Sequence, residues 1–78
     1  MEIQLKMPDL GTTESEIKII RWLVEIGSSV ERGQPLLEVE TDKATMEVES
    51  IAGGILKKII LTAGQTAESG QPLAVIET

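Results

Sequence analysis

Gly33-Gln34-Pro35-Leu36 recurs as Gly70-Gln71-Pro72-Leu73. Around these segments Gly27 matches Gly64, Glu31 matches Glu68, Val39 matches Ile76, and Glu40-Thr41 matches Glu77-Thr78. All the pairs share one offset, with no gap. Good turn residues are reused by chance in many chains, but chance does not hold register over such a length. A duplicated half-domain accounts for it. This constrains the fold severely, because what one half builds the other must build again. The second copy stops where the first runs on into Asp42-Lys43.

The local pattern says what each half is made of. Residues Glu2 to Met7 alternate, with Ile3, Leu5 and Met7 on one face and Glu2, Gln4 and Lys6 on the other, as in a half-buried strand. Pro8 to Ser15 reads as a turn and polar loop. A second strand runs from about Glu16 to Val24. Its alternation breaks at Ile19-Ile20 and at Trp22-Leu23-Val24, which calls for a bulge or for cover on both faces. Val30-Glu31 is a short strand between the turns at Gly27-Ser28-Ser29 and Gly33-Gln34. Strands follow at Pro35 to Glu40, from after Lys43 to Glu49, at Ile55 to Leu61 and at Pro72 to Glu77. No helical period is sustained. Short strands between Gly and Pro turns predict an all-β sandwich or flattened barrel.

Composition removes several functions. The chain has 78 residues, enough for one small domain, 1–78. With no cysteine and no histidine there is no disulfide framework, no zinc-thiolate site and no serine or cysteine triad. Trp22 is the sole aromatic, too little for base stacking. A net charge of −6 opposes nucleic acid as a partner and favours basic docking surfaces. No apolar run has the length of a membrane helix, and no secretory signal pattern is present. Trp22 is expected to be substantially buried, with Ile3, Leu5, Val39 and Val48 in the same core.

Glu38-Val39-Glu40-Thr41-Asp42-Lys43-Ala44-Thr45-Met46-Glu47-Val48 alternates on both sides of a polar break. That is a hairpin pattern with Lys43 at the tip, and Asp42 suits the turn because its side chain can bond nearby amides. With these residues in view, the chain resembles the lipoyl domains of the dihydrolipoamide acyltransferase (E2) subunits of 2-oxo acid dehydrogenase complexes. Glu40-Thr41-Asp42-Lys43-Ala44 matches the family's lipoylation motif, with Lys43 at the modified position. Met7-Pro8-Asp9-Leu10-Gly11, Trp22, Gly27, Val30 and Gly33-Gln34-Pro35-Leu36 match in order. Glu16-Ile17 and Gly27-Ser28 depart from pairs common in the family.

The resemblance implies two four-stranded antiparallel sheets with quasi-two-fold symmetry. It also implies lipoate attached covalently to Lys43, and no active site within the domain. A lipoate-attaching ligase would modify Lys43. A thiamine-diphosphate-dependent decarboxylase (E1), the acyltransferase core and the flavoprotein dihydrolipoamide dehydrogenase (E3) would then use the arm in turn. Asp42, Ala44, Thr41 and Glu40 are the expected recognition residues at the tip, with Glu14, Ser15 and Glu16 as decarboxylase contacts. The isolated domain is expected to be a monomer cut from the N-terminal end of a longer protein, in the bacterial cytoplasm or the mitochondrial matrix.

There are three alternatives, one a related carrier and two from other classes. Biotinyl domains share the fold but carry methionine on both sides of the lysine, where this chain has Asp42 and Ala44. A Schiff-base enzyme would need a desolvated lysine. An unmodified structural β-domain would leave the lysine motif unexplained.

The duplication carries a geometric expectation as well. Under a two-fold axis Lys43 and the termini lie at opposite ends, with Met1-Glu2-Ile3 standing in the place of Met46-Glu47-Val48.

Overall fold

A computed structural model describes residues 1–9 and 16–78. The described chain forms the strands β1 (Glu2–Lys6), β2 (Ile17–Trp22), β3 (Ser29–Val30), β4 (Pro35–Glu40), β5 (Thr45–Glu49), β6 (Gly54–Ile59), β7 (Thr66–Ala67) and β8 (Pro72–Glu77), and no helix. They make two four-stranded sheets, in the orders β1-β8-β6-β3 and β5-β4-β2-β7. Every pairing is antiparallel.

Exchanging the halves maps β1 onto β5, β8 onto β4, β6 onto β2 and β3 onto β7. Applied twice, the exchange returns every strand to itself, which is the property of a two-fold operation. The hydrogen bonds follow it. The Gly27 amide donates to the Leu56 carbonyl at 2.7 Å, and the Gly64 amide to the Ile19 carbonyl at 2.8 Å. The Leu23 amide reaches the Leu36 carbonyl as the Ile60 amide reaches that of Leu73, both at 2.8 Å. Gln34 and Gln71 each accept a bond at Oε1 from the amide three residues earlier, at 2.9 and 3.0 Å. Irregularities recur too, at Ile20 of β2 and at Lys57 of β6.

The core lies between the sheets. β4 and β8 are flanked on both sides within their sheets and share one burial pattern, with Leu36, Leu37 and Val39 in one and Leu73, Ala74 and Ile76 in the other fully enclosed. Leu5, Met7, Ile17, Ile19, Val30, Val48, Leu56 and Ala67 complete the cluster. Each large side chain among them gains about 1.5–3 kcal/mol by leaving water. The consecutive buried residues Leu36-Leu37 and Leu73-Ala74 coincide with breaks in strand register, where an extra residue turns the chain over.

Several expectations need correction. Trp22 is substantially covered, as expected, but it packs against the core cluster from outside and is not fully enclosed. So large a ring is not closed over at the end of β2, and its N–H needs a partner, which the Leu61 carbonyl supplies at 2.8 Å. Ile3 is also half-buried, on the edge strand β1 near the chain end, while Leu5, Val39 and Val48 are in the core. β2 stops at Trp22, before the expected Val24, and β7 lies where the residue pattern predicts no strand. The N-terminal match is shifted. Ile3 pairs with Ile76 as Met46 pairs with Val39, so Ile3, and not Met1, takes the place of Met46.

The exchange also fixes where the ends lie. β5 leads away from the hairpin tip to Glu49, and residues 50–53 hand the chain to Gly54. A Cβ placed on Gly54 with ideal geometry would lie 2.2 Å from the Glu77 carbonyl oxygen. Lys43 and the paired termini therefore sit at opposite ends of a body 33 Å long.

Two substitutions test this packing. Gly54→Ala would drive its methyl into the Glu77 carbonyl, a backbone group that cannot step aside. A loss of about 1–3 kcal/mol is expected in urea denaturation. Trp22→Ala removes a half-buried ring and one hydrogen bond. It is expected to cost about 2–4 kcal/mol, at or below the range for a fully buried ring, with the parent's fluorescence maximum lying between those of buried and water-exposed indole.

Candidate functional site: a lysine at a hairpin tip

β4 and β5 pair from Pro35 opposite Glu49 to Glu40 opposite Thr45, and Thr41-Asp42-Lys43-Ala44 closes the hairpin. Thr41 is 7% exposed, whereas Asp42, Lys43 and Ala44 are all exposed. The Thr41 amide donates to the Ala44 carbonyl at 2.9 Å. Its hydroxyl donates to the same carbonyl at 3.1 Å and accepts from the amides of Lys43 and Ala44, each at 3.2 Å. The turn is therefore wound around the Thr41 side chain. Lys43 is the one lysine outside a strand, since Lys6 is in β1, Lys18 in β2, and Lys57 and Lys58 in β6.

The expected recognition residues fall into separate groups. Glu40 ends β4, exposed, beside Asp42, Lys43 and Ala44. Glu16 is exposed just before β2, and Lys18 pairs with Glu40, so the start of β2 lies at the tip end. Glu14 and Ser15 lie outside the described residues. Thr41 is not on the surface, because its side chain is enclosed by the turn. Its role is not legible from the motif alone, although the repeat points to it through the pair Glu40-Thr41 and Glu77-Thr78. Glu40, Glu47 and Glu49 are solvated, whereas Glu38 is half-buried and forms an ion pair with Arg21.

The opposite end repeats this geometry with an open chain. Thr78 stands where Thr41 stands, and Met1 where Ala44 stands. The Thr78 amide donates to the Met1 carbonyl at 2.8 Å and its hydroxyl donates to the same oxygen at 3.1 Å. Asp42 and Lys43 are thus the two residues that join at the tip what is left unjoined at the termini. Glu2 and Glu77 face each other there across the strands, a like-charge pairing. Lys57 bridges both, bonding Glu2 and reaching Glu77 Oε2 at 2.9 Å. The bonds to Glu2 and then Glu77 push the Lys57 amine above its usual range, and the hydrogen bond and charge of Lys57 hold Glu77 below its own.

A closed β body with one exposed turn lysine has the form of a domain that carries a group on an amine. Among the described residues no cluster of acidic side chains could hold a metal ion. The family model described as "Biotin-requiring enzyme", of the biotin/lipoyl type, matches residues 3–76, and the chain belongs to that family. It is 43% identical over 77 residues to the dihydrolipoyllysine-residue acetyltransferase component of the Zymomonas mobilis pyruvate dehydrogenase complex, covering 97% of this chain and 18% of that protein. It is 38% identical over 73 residues to the succinyltransferase component of the Staphylococcus saprophyticus 2-oxoglutarate dehydrogenase complex, covering 94% of this chain and 17% of that protein. The chain thus spans under a fifth of these relatives. Among solved structures, the lipoyl domain of the Azotobacter vinelandii 2-oxoglutarate dehydrogenase complex superposes with a TM-score of 0.78 at 29% identity, over 97% of this chain and 96% of that one. Urea carboxylase from Kluyveromyces lactis superposes with a TM-score of 0.81 at 25% identity, over 99% of this chain and 6% of that one.

The ion pairs at the termini give a pH signature. Glu77 is depressed, so its contribution is complete above the ordinary carboxylate value of 4.5 and is lost as pH falls through the depressed one. Lys57 is raised, so its contribution is complete below 10.5 and is lost as pH rises through the raised value. The thermal midpoint of Lys57→Gln should fall below the parent's between those limits and converge with it in acid. The gap should be small and shrink in salt, because all three groups are exposed.

Proposed function

We propose that this domain is a lipoyl carrier, modified at Lys43, that serves a 2-oxo acid dehydrogenase complex. One observation carries the reading: Lys43 occupies an exposed hairpin tip within Glu40-Thr41-Asp42-Lys43-Ala44, the sequence that resembles the family's lipoylation motif. An exposed primary amine at a turn suits acylation by a ligase that reads the tip. An ammonium must lose its proton before it can attack, so the ligase supplies the base. Attachment converts the amine to a neutral amide and takes the net charge from −6 to −7.

When attached, the lipoyl group supplies the redox and acyl-carrying chemistry. The domain itself presents the arm. The tip holds the attachment point clear of the body, and the acidic hairpin offers Glu40 and Asp42 to basic docking surfaces. Tethering turns diffusion among the decarboxylase, the acyltransferase core and the flavoprotein into encounters at high effective concentration. The names of the relatives support this assignment.

Biotin is the second reading, supported by the description "Biotin-requiring enzyme" of the matching family model. The residues beside Lys43 speak against it, since Asp42 and Ala44 stand where biotinyl relatives resemble one another in carrying methionine.

Intact mass after incubation with lipoate ligase, lipoate and ATP should rise by one lipoyl group, and peptide mapping should place it on Lys43 alone. Exchanging Asp42 and Lys43 should block the modification and leave the fold intact. A biotin-sized addition, lipoate on another lysine, or efficient modification of the exchanged variant would count against the proposal.

A further inference from the structure

Two-residue hairpin turns ordinarily place one or both central residues at positive φ, which matches the twist of the strands and is supplied by Gly, Asn or Asp. Asp42 and Lys43 do not do this: no described residue other than glycine has positive φ. A turn of this kind tends to splay its strands and needs support from elsewhere. The Thr41 hydroxyl provides it. It takes the amides of Lys43 and Ala44 at 3.2 Å and gives its proton to the Ala44 carbonyl at 3.1 Å. A hydroxyl has one donor and two acceptor sites, so this one is fully occupied. With 7% exposure Thr41 has nothing left to offer a partner.

We infer that Thr41 is a positioning residue for modification of Lys43, and that it acts through the turn backbone and not by contact with the ligase. The inference rests on the carrier reading. In the reaction the Lys43 nitrogen forms a bond to the acyl carbon of lipoate activated as a mixed anhydride with a nucleotide phosphate. The bond from that carbon to the anhydride oxygen breaks, the phosphate leaves with the electron pair, and the nitrogen gives up its proton to the ligase's base. The rate depends on how often the amine meets the acyl carbon in line, and a misplacement of about 1 Å can cost about 100-fold. Fixing the Lys43 amide against the Thr41 oxygen limits where the lysine can start from.

The fold supplies its own control. Thr78 makes the same hydroxyl bond to the Met1 carbonyl, at 3.1 Å, at the end that has no lysine turn. Thr41→Val, Thr41→Ser and Thr78→Val should be compared in lipoylation kinetics with purified ligase. Thr41→Val should lower kcat/KM by about 10- to 100-fold, Thr41→Ser should restore it to near the parent value, and Thr78→Val should leave it unchanged. Amide hydrogen exchange at Lys43 and Ala44 should quicken in Thr41→Val while that of Leu37 and Val48 holds. If the amide spectrum shows Thr41→Val unfolded, Thr41→Ala takes its place with the same expectations. Modification of Thr41→Val at the parent rate, a serine variant as slow as valine, or an equal loss in Thr78→Val would overturn the inference while leaving the carrier reading intact. An unmodified parent domain would overturn that reading, and the inference with it.

Discussion

Neither half of this chain can bury its own apolar face. The side chains that close the core come in matched sets, Leu36, Leu37 and Val39 from β4 and Leu73, Ala74 and Ile76 from β8, joined in one cluster. A four-stranded sheet of such short strands exposes one whole apolar face until a second sheet covers it. The same dependence explains the crossed topology. β2, from the first half, lies between β4 and β7, and β6, from the second, lies between β8 and β3. Each sheet thus borrows its short edge strand from the other half, and neither sheet is complete without both. In so small a domain, where stability is a narrow difference between large terms, this interlocking leaves little that can loosen independently.

Charge is arranged around that frame. The acids of the hairpin lie mostly on its wet face, with Arg21 set against Glu38 where β2 meets β4. At the termini two glutamates oppose each other and Lys57 sits between them. No counterpart of that lysine exists at the tip, because the equivalent position is Ile20. The tip needs no such ion pair, since a covalent turn holds its strands together. One fold therefore secures its two ends by different means, and only the covalently closed end places a lysine outside the strands.

Much of this is legible in the sequence. The repeat carries the two-fold relation, and alternation carries the strands. The break at Ile19-Ile20 foretells the bulge. The parts that are not legible have physical reasons. The match of β1 to β5 slips by two residues because a shift of two leaves every side chain on the same face, so alternation cannot detect it. Trp22 looks like core because its neighbours are apolar, but sequence does not say how far along a strand the cover extends. Gly54 reads as an ordinary loop glycine, and the constraint on it is the Glu77 backbone from the far end of the chain. The duty of Thr41 depends on the sign of φ at Asp42 and Lys43, which no residue pattern states.

The correspondence between Thr41–Ala44 and Thr78–Met1 has a consequence for what front and back mean here. The backbone is alike at the two poles, since each offers a threonine bonded back to the strand beside it. The distinction lies in the link through Asp42 and Lys43, which carries the chain from Thr41 straight into Ala44 at the hairpin. A permuted chain, opened between Asp42 and Lys43 and closed from Thr78 to Met1 through a two-residue link, would keep the strand pairings and reverse the sense of the molecule. Directionality in this domain belongs to connectivity and not to shape.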